Sequence, residues 1–165
     1  MINLDRLTQR PATFQDAQTL YRWTNNPEVR KFSFQHHPVS WNEHLSWLSK
    51  QIQNKRSFLF IVVSDNHPVG QYRFDFLPSS LHEKEKIVSV SISVDAAWRQ
   101  QGIGSAIITT LMFPTAKNLG ISTLISKVKS ENVFSYRLFI KTGFSLIKNS
   151  VYRKQQYSTL MKQIL

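Results

Sequence analysis

The chain has 165 residues, no cysteine, and 21 Lys+Arg against 10 Asp+Glu, for a formal net charge of +11. That length predicts one domain, residues 1–165, able to bury roughly two-thirds of its unfolded surface without covalent staples. The lack of cysteine excludes disulfides, thiolate zinc sites and a cysteine nucleophile, and it suits a reducing cytosol. No apolar run approaches the ~20 residues that span a bilayer, and residues 1–5 do not begin a signal peptide. The basic balance favours anionic partners, either nucleic acid or phosphorylated small molecules. The basic residues are scattered, apart from residues 148–154, and no helix-turn-helix, finger or aromatic stacking motif stands out, so nucleic acid is the weaker of the two.

In chain order, residues 7–10 read as a short strand. Thr13 with Asp16 three residues on is a near capping box, and Ala17, Leu20 and Tyr21 then give a helical stripe. Asn25, Asn26 and Pro27 end that helix, because the residue before proline is pushed out of the α region. Residues 27–31 add one helical turn, and residues 32–39 form a loop. Ser40 and Glu43 make a capping box for the next helix, where Trp41, Leu45, Leu48 and Ile52 predict the core face. Residues 57–63 are a buried strand, residues 65–68 a turn, and residues 69–77 the returning hairpin partner. On that partner Gln71, Arg73 and Asp75 point one way, and Tyr72, Phe74 and Phe76 the other.

After a charged connection over residues 78–86, residues 87–94 (IVSVSISV) alternate serine with β-branched residues, the period of a strand. Residues 105–113 (SAIITTLMF) are apolar and long enough for a helix, which Pro114 must kink or end early; Gly120 is its C-cap. Residues 122–128 are a strand, 132–141 a helix closed by Gly143, and 144–148 and 157–164 the last strands. The order β-α-α-β-β-β-α-β-α-β-β predicts one α+β domain around a mixed sheet, without repeats or linkers.

The centre of the chain is residues 99–104 (RQQGIG), between the serine-alternating strand and the apolar helix. The first backbone N–H groups of a helix lack internal partners, and glycines let an anion approach them closely. No G-x-x-x-x-G-K-[ST] run exists, and Ile107 stands where a dinucleotide fingerprint needs its third glycine. Arg-x-x-Gly-x-Gly remains. Downstream come Asn132-Val-Phe-Ser135 and Leu138-Phe-Ile-Lys-Thr-Gly-Phe144. Together these resemble the GNAT N-acetyltransferases, the first as the pyrophosphate loop for acetyl-CoA, the second as N-x-x-S…(L)-(Y/F)-x-K-x-G-F. The resemblance covers nearly the whole chain. It implies an α+β, single GNAT-like domain: a mixed, mostly antiparallel central sheet flanked by about four helices, with a splayed parallel strand pair at the cofactor cleft.

The resemblance also implies roles. Arg99, Gln100, Gln101, Gly102, Ile103, Gly104 and Ser105 would hold the pyrophosphate, against the plainer reading of a helix-entry turn. A backbone N–H among Ile92, Ser93 and Val94 would polarise the thioester carbonyl. Asn132, Ser135, Phe139 and Lys141 of the second motif would line the cofactor, although Asn132 and Ser135 also suit a simple helix start. Many members protonate the leaving thiolate with a tyrosine, and Phe139 stands at that position. Ser135 matches the serine of the ribosomal-protein branch, and Tyr136 is the fallback acid. A free thiol, with a pKa near about 8.5, also leaves tolerably unassisted. The base stays open among Glu28, Glu83, Glu85 and a histidine through water.

For the acceptor, residues 20–31, 38–44 and 70–75 resemble acetyltransferases of the amino-sugar-nucleotide type, as in pseudaminic acid synthesis. Arg30, His36, His37, Gln71 and Arg73 are candidate contacts, each against an inert surface or structural reading. Protein N-termini are the close alternative, and a non-catalytic basic module that binds CoA or nucleic acid is another. The expectation is a cytoplasmic monomer or homodimer acting on a small-molecule amine, with no metal and no membrane.

Overall fold

The computed structural model describes residues 4–78 and 85–164. Glu83, one of the candidate bases, lies outside the described residues. The strands are β1 (Thr8–Pro11), β2 (Ser57–Ser64), β3 (His67–Phe76), β4 (Ile87–Val94), β5 (Thr123–Lys129), β6 (Ser145–Tyr152) and β7 (Gln155–Gln163). They form one sheet in the order β1-β2-β3-β4-β5-β7-β6. Every neighbouring pair is antiparallel except β4 and β5. The helices are α1 (Ala17–Thr24), α2 (Pro27–Phe32), α3 (Trp41–Gln53), α4 (Ile103–Ala106 continuing through Ile107–Met112 and Phe113–Asn118) and α5 (Val133–Lys141). Among the described residues no helix is long and apolar enough to cross a membrane.

Each face of the sheet carries its own core. On one, Val62, Tyr72, Phe74, Val88, Val90 and Leu124 pack against Ile103, Ile107 and Met112 of α4 and Phe139 of α5. On the other, Leu59 and Ile61 meet Ala17, Leu20 and Trp23 of α1 and Leu48 of α3. The alternation expected on β3 is therefore present, with Tyr72 and Phe74 in the first core. Both capping boxes form: the Thr13 N–H donates to Asp16 Oδ2 at 2.8 Å, and the Ser40 N–H to Glu43 Oε2 at 2.8 Å.

Three expectations need correction. The buried stripe of α3 is His44 and Leu48, whereas Trp41 and Ile52 are 41% and 39% exposed. The helix is turned because His44 Nε2 bonds the Ala17 carbonyl at 2.8 Å, and Trp41 packs edge-on against Tyr21 with centroids 5.1 Å apart. Secondly, of the two outcomes left open for Pro114, a kink or an early end, the early end does not occur. Residues Ile107–Met112 widen into a π-helix, and the helix runs on to Asn118. Wider turns accommodate a proline ring and its missing N–H, and Thr109 and Thr110 add side-chain bonds to the Ser105 and Ala106 carbonyls at 2.9 and 2.7 Å. Thirdly, β6 extends to Tyr152 rather than stopping at Lys148, and pairs with β7 through a turn at Arg153 and Lys154, both at positive φ (49° and 63°).

Candidate active site

The site begins where β4 and β5 part. Their parallel pairing runs from Ile87↔Thr123 to Ser89↔Ile125 and stops there. Beyond it, β4 stays on β3 as far as Gly70↔Val94, and β5 stays on β7 as far as Lys129↔Tyr157. At the two ends of the β3–β4 ladder, the Leu77 N–H donates to the Ile87 carbonyl and the Asp95 N–H to the Val69 carbonyl, both at 2.9 Å. Antiparallel pairs alternate between bonded and non-bonded. The odd-numbered residues of β4 thus bond β3, and Val90, Ile92 and Val94 turn backbone groups toward the split. The Val94 carbonyl is taken by Arg99 Nε at 3.0 Å. Ser93 belongs to the other set: its backbone pairs with Gln71, and its side chain faces α1 and α3.

The glycine loop sits at the end of this split. Gln100 and Gly102 both have positive φ, 60° and 82°, and Gly102 is the N-cap of α4. The first helical bond is the Ala106 N–H to the Gly102 carbonyl at 3.0 Å, so the N–H groups before it lack helical partners. Ile103, 1% exposed, anchors the helix start in the core. Gly104 faces α5: a Cβ there would lie 3.0 Å from Leu138 Cδ2, so this glycine sets how closely α4 and α5 approach. Gln101 lies on the surface, its Nε2 donating to the Ala97 carbonyl at 3.4 Å, and Ser105 is half-buried.

Arg99 is braced from both sides, by the Val94 carbonyl and by an ion pair with Glu28 of α2. That pairing makes Glu28, a candidate base, a partner of the glycine loop. Asp95, just after β4, is a link that sequence reading missed. It accepts from Trp23 Nε1 at 2.6 Å, the Ala97 N–H at 2.9 Å and Arg22 Nη2 at 3.2 Å, tying α1 to the loop. Burial pushes its carboxyl up, but the Trp23 and Ala97 donors and the neighbouring Arg22 and Arg99 outweigh it and hold the pKa below the ordinary carboxylate value.

In the second motif Asn132 caps α5, its Oδ1 accepting the Ser135 N–H at 3.1 Å. Ser135 and Tyr136 are half-buried, and Tyr136 packs on the core beside α4. Phe139 is 2% exposed with its ring 4.8 Å from Phe144, which places it in the core; Lys141 is exposed in the last turn of α5.

Of the acceptor candidates, Arg30 stitches its own segment: Nε donates to the Thr24 carbonyl at 2.7 Å, Nη2 to Ser33 Oγ at 3.1 Å, and Nη1 reaches the Gln35 and His37 carbonyls at 3.3 and 3.5 Å. His37 is exposed, and His36 contacts Lys129 of β5. Arg73 Nε donates to Asp75 Oδ2 at 2.7 Å, and its guanidinium lies 5.7 Å from the Trp47 ring centroid. Gln71 lines a small pocket with Trp23, Trp47 and Ser93, and its Oε1 is buried without a partner among the described residues. The larger cleft, about 550 Å³, runs along the α1 side of the same loop between Trp23, Ser93, Trp98 and Arg99.

Comparison with known proteins agrees with this geometry. The family model for the acetyltransferase (GNAT) domain matches residues 6–145. Acetyltransferase PseH of Campylobacter jejuni is 22% identical over 163 residues, 99% of this chain and 95% of its own length. An uncharacterized protein of Methanocaldococcus jannaschii is 26% identical over 142 residues, 84% of this chain, and the chain spans 28% of that relative's length. A solved spermidine N-acetyltransferase from Vibrio cholerae, in complex with CoA and spermine, superposes with a TM-score of 0.83 at 16% identity, over 96% of each chain. The family match takes in β1 to the start of β6, every element that builds the split and the loop, and the chain accordingly belongs to the GNAT acetyltransferases, whose cofactor is acetyl-CoA.

Proposed function

We propose that this acetyl-CoA-dependent N-acetyltransferase acts on the primary amine of a small anionic acceptor of the amino-sugar-nucleotide type. When bound, acetyl-CoA supplies an activated acyl thioester. The observation that carries the transfer chemistry is the split between β4 and β5. It leaves the Ile92 and Val94 backbone facing outward next to a glycine loop that opens a helix. An N–H fixed there is a preorganised donor for a carbonyl oxygen that gains charge, and the unpartnered N–H groups at the start of α4 suit a pyrophosphate. Ser135 and Tyr136, half-buried at the start of α5, are the candidates for giving a proton to the sulfur. The chain positions the amine and manages its proton; with no cysteine, it has no thiol to carry the acyl group.

The acceptor reading rests on charge together with the resemblance of residues 20–31, 38–44 and 70–75. Carboxylates on the acceptor side are committed to arginines: Glu28 to Arg99, Asp75 to Arg73 and Asp95 to Arg22. Lys127 of β5 has no carboxylate partner among the described residues, whereas Arg30 and Lys129, also without one, are bound to groups of residues 24–37. A polycationic amine needs free carboxylates, whereas a phosphorylated one needs cations. Arg73 keeps its Nη groups for that purpose, since only Nε is bonded to Asp75.

The test is a thiol-release assay with a UDP-4-amino sugar, spermidine and peptides with free N-termini. The expected result is the highest kcat/KM on the UDP-linked amine, with Arg73→Gln raising its KM and leaving that of acetyl-CoA nearly constant. A preference for spermidine or the peptides overturns the acceptor reading and leaves acetyl transfer intact.

A further inference from the structure

Lys129 ends β5 and is 5% exposed, with no ion pair among the described residues; burial lowers its pKa, and the charge of Glu131, two residues on, opposes that. Buried ammonium groups are ordinarily paired with carboxylates. Its Nζ instead lies 3.4 Å from the Lys31 carbonyl and 3.2 Å from His36 Nε2, with the Phe34 ring centroid at 5.8 Å. From β7, Gln155 Nε2 approaches the same imidazole nitrogen at 3.2 Å and the Phe34 carbonyl at 3.5 Å. This orientation leaves Gln155 Oε1 buried without a partner among the described residues, whereas the reversed amide would put that oxygen against the Phe34 carbonyl oxygen.

An ammonium has N–H groups and no lone pair, and the Gln155 nitrogen is likewise a donor. Two donors therefore converge on His36 Nε2, and a nitrogen that receives donors must hold the lone pair. The ring proton is then on Nδ1. His36 is otherwise exposed, in the segment between α2 and α3 whose start Arg30 and Lys129 pin down. That segment lies against the end of β5, the strand that parts from β4 after Ile125.

We propose that Lys129 and Gln155 fix His36 as its Nδ1–H tautomer, so that His36 presents a hydrogen-bond donor to an oxygen of the acceptor instead of a basic nitrogen. Lys129 is in this account a positioning residue, acting through His36. The proposal removes His36 from the candidates for the general base, because its lone pair already faces two N–H groups. A donor at this place suits a phosphate or hydroxyl oxygen. That kinetic half rests on the acceptor reading above; the tautomer does not.

The experiment is ring-nitrogen NMR of histidine-labelled protein near neutral pH, with His36→Gln used to assign the resonance. Wild type should show His36 protonated on Nδ1 alone, and titration with UDP should shift that resonance. Lys129→Met should give a mixture of tautomers, and Lys129→Arg should keep the wild-type form. With the UDP-4-amino sugar, Lys129→Met should raise the acceptor KM about tenfold, near the 1.4 kcal/mol of one charge-assisted bond. The acetyl-CoA KM should not move, and Lys129→Arg should restore most of the loss. An Nε2–H or doubly protonated His36 in wild type overturns the proposal. So does a UDP titration that leaves His36 unmoved, which decides the matter even if Lys129→Met fails to fold. Failure of the UDP-linked amine as a substrate would instead count against the acceptor reading, while the tautomer would still be decided by the spectrum.

Discussion

The two faces of the sheet are held by different forces. Beneath α4 and α5 the contacts are apolar and continuous, from Val62 and Tyr72 through Ile107 and Met112 to Phe139 and Leu160. Beneath α1 and α3 the apolar cluster is smaller, and polar bonds do much of the joining. His44 bonds the Ala17 carbonyl, Trp23 bonds Asp95, Arg30 gathers four groups of its own segment, and Lys129 holds His36. Hydrophobic burial is non-directional and spreads its contribution over area. A hydrogen bond is directional, modest when made, and costly when one buried partner is removed. The glycine loop is tied to both faces, by Ile103 in the apolar core and by Asp95 and the Arg99–Glu28 pair on the polar side. The segment between α2 and α3 rises from the face where single bonds set the geometry.

The strongest way to break this comparison is to hollow the apolar face. Phe139 is 2% exposed and packs on Phe144 at a centroid distance of 4.8 Å. Phe139→Ala should destabilise the protein by about 3–5 kcal/mol, the range for a large aromatic removed from a core. Urea unfolding followed by tryptophan fluorescence measures it. A loss below about 1 kcal/mol would mean that α5 is not part of a continuous core. The same position would then have to be reconsidered as a cofactor contact.

The next test concerns one bond on the other face. Trp23→Phe keeps most of the buried ring but removes the N–H that Asp95 accepts at 2.6 Å. The expected cost is about 1–3 kcal/mol, because a half-buried carboxylate loses a donor. The pH dependence separates this from lost packing. Asp95 is held below its ordinary value in the folded state. Its contribution is therefore complete above the unfolded carboxylate value, about 3.9, and is lost as the pH falls through the folded value. Wild type and variant should differ most near neutral pH and converge on acidification. A difference that stays constant with pH would assign the effect to the indole ring and not to its N–H.

How much of this was legible in the sequence follows the same division. Residues 99–104 and 132–144 are local motifs, and their strand–turn–helix settings depend on neighbours in the chain. The alternation of Tyr72 and Phe74 against Gln71 and Arg73 is equally local. The polar face was not legible, because its bonds join residues far apart: Trp23 and Asp95 are 72 positions apart, His36 and Lys129 are 93. Nothing near Lys129 in a strand of TLISKVK announces a histidine partner. The misplaced stripe of α3 has the same origin. Periodicity counts His44 as polar and Trp41 as apolar, and the Ala17 carbonyl reverses their places. The length of β6 escaped for a different reason. Its turn uses Arg153 and Lys154 at positive φ, where asparagine and glycine would have signalled a hairpin.

The smallest effect should come from a buried polar tip on the apolar face. Tyr72 has no exposure, and its hydroxyl donates to Gln9 Oε1 at 2.5 Å, while Gln9 Nε2 donates to Thr115 Oγ1 at 2.7 Å. This chain joins β3 to β1 and to the last part of α4. Tyr72→Phe keeps the ring, and Gln9 keeps Thr115, so the cost at neutral pH should be only about 1 kcal/mol, that of one neutral hydrogen bond. Alkaline pH reveals more. Burial pushes the Tyr72 hydroxyl up to about 12. An unfolded tyrosine ionises near about 10. A group whose folded value is raised contributes stability that is full below the unfolded value and is lost as the pH rises through the folded one. Wild type should therefore lose stability between about pH 10 and 12 that the phenylalanine variant keeps; because about two pKa units outweigh about 1 kcal/mol, the two denaturant curves should draw together and then cross within that interval. Parallel decline of both proteins would assign alkaline unfolding to lysines instead. Loss of the wild-type advantage would show that this face also depends on a single proton, held on one hydroxyl where β3 meets β1 and α4.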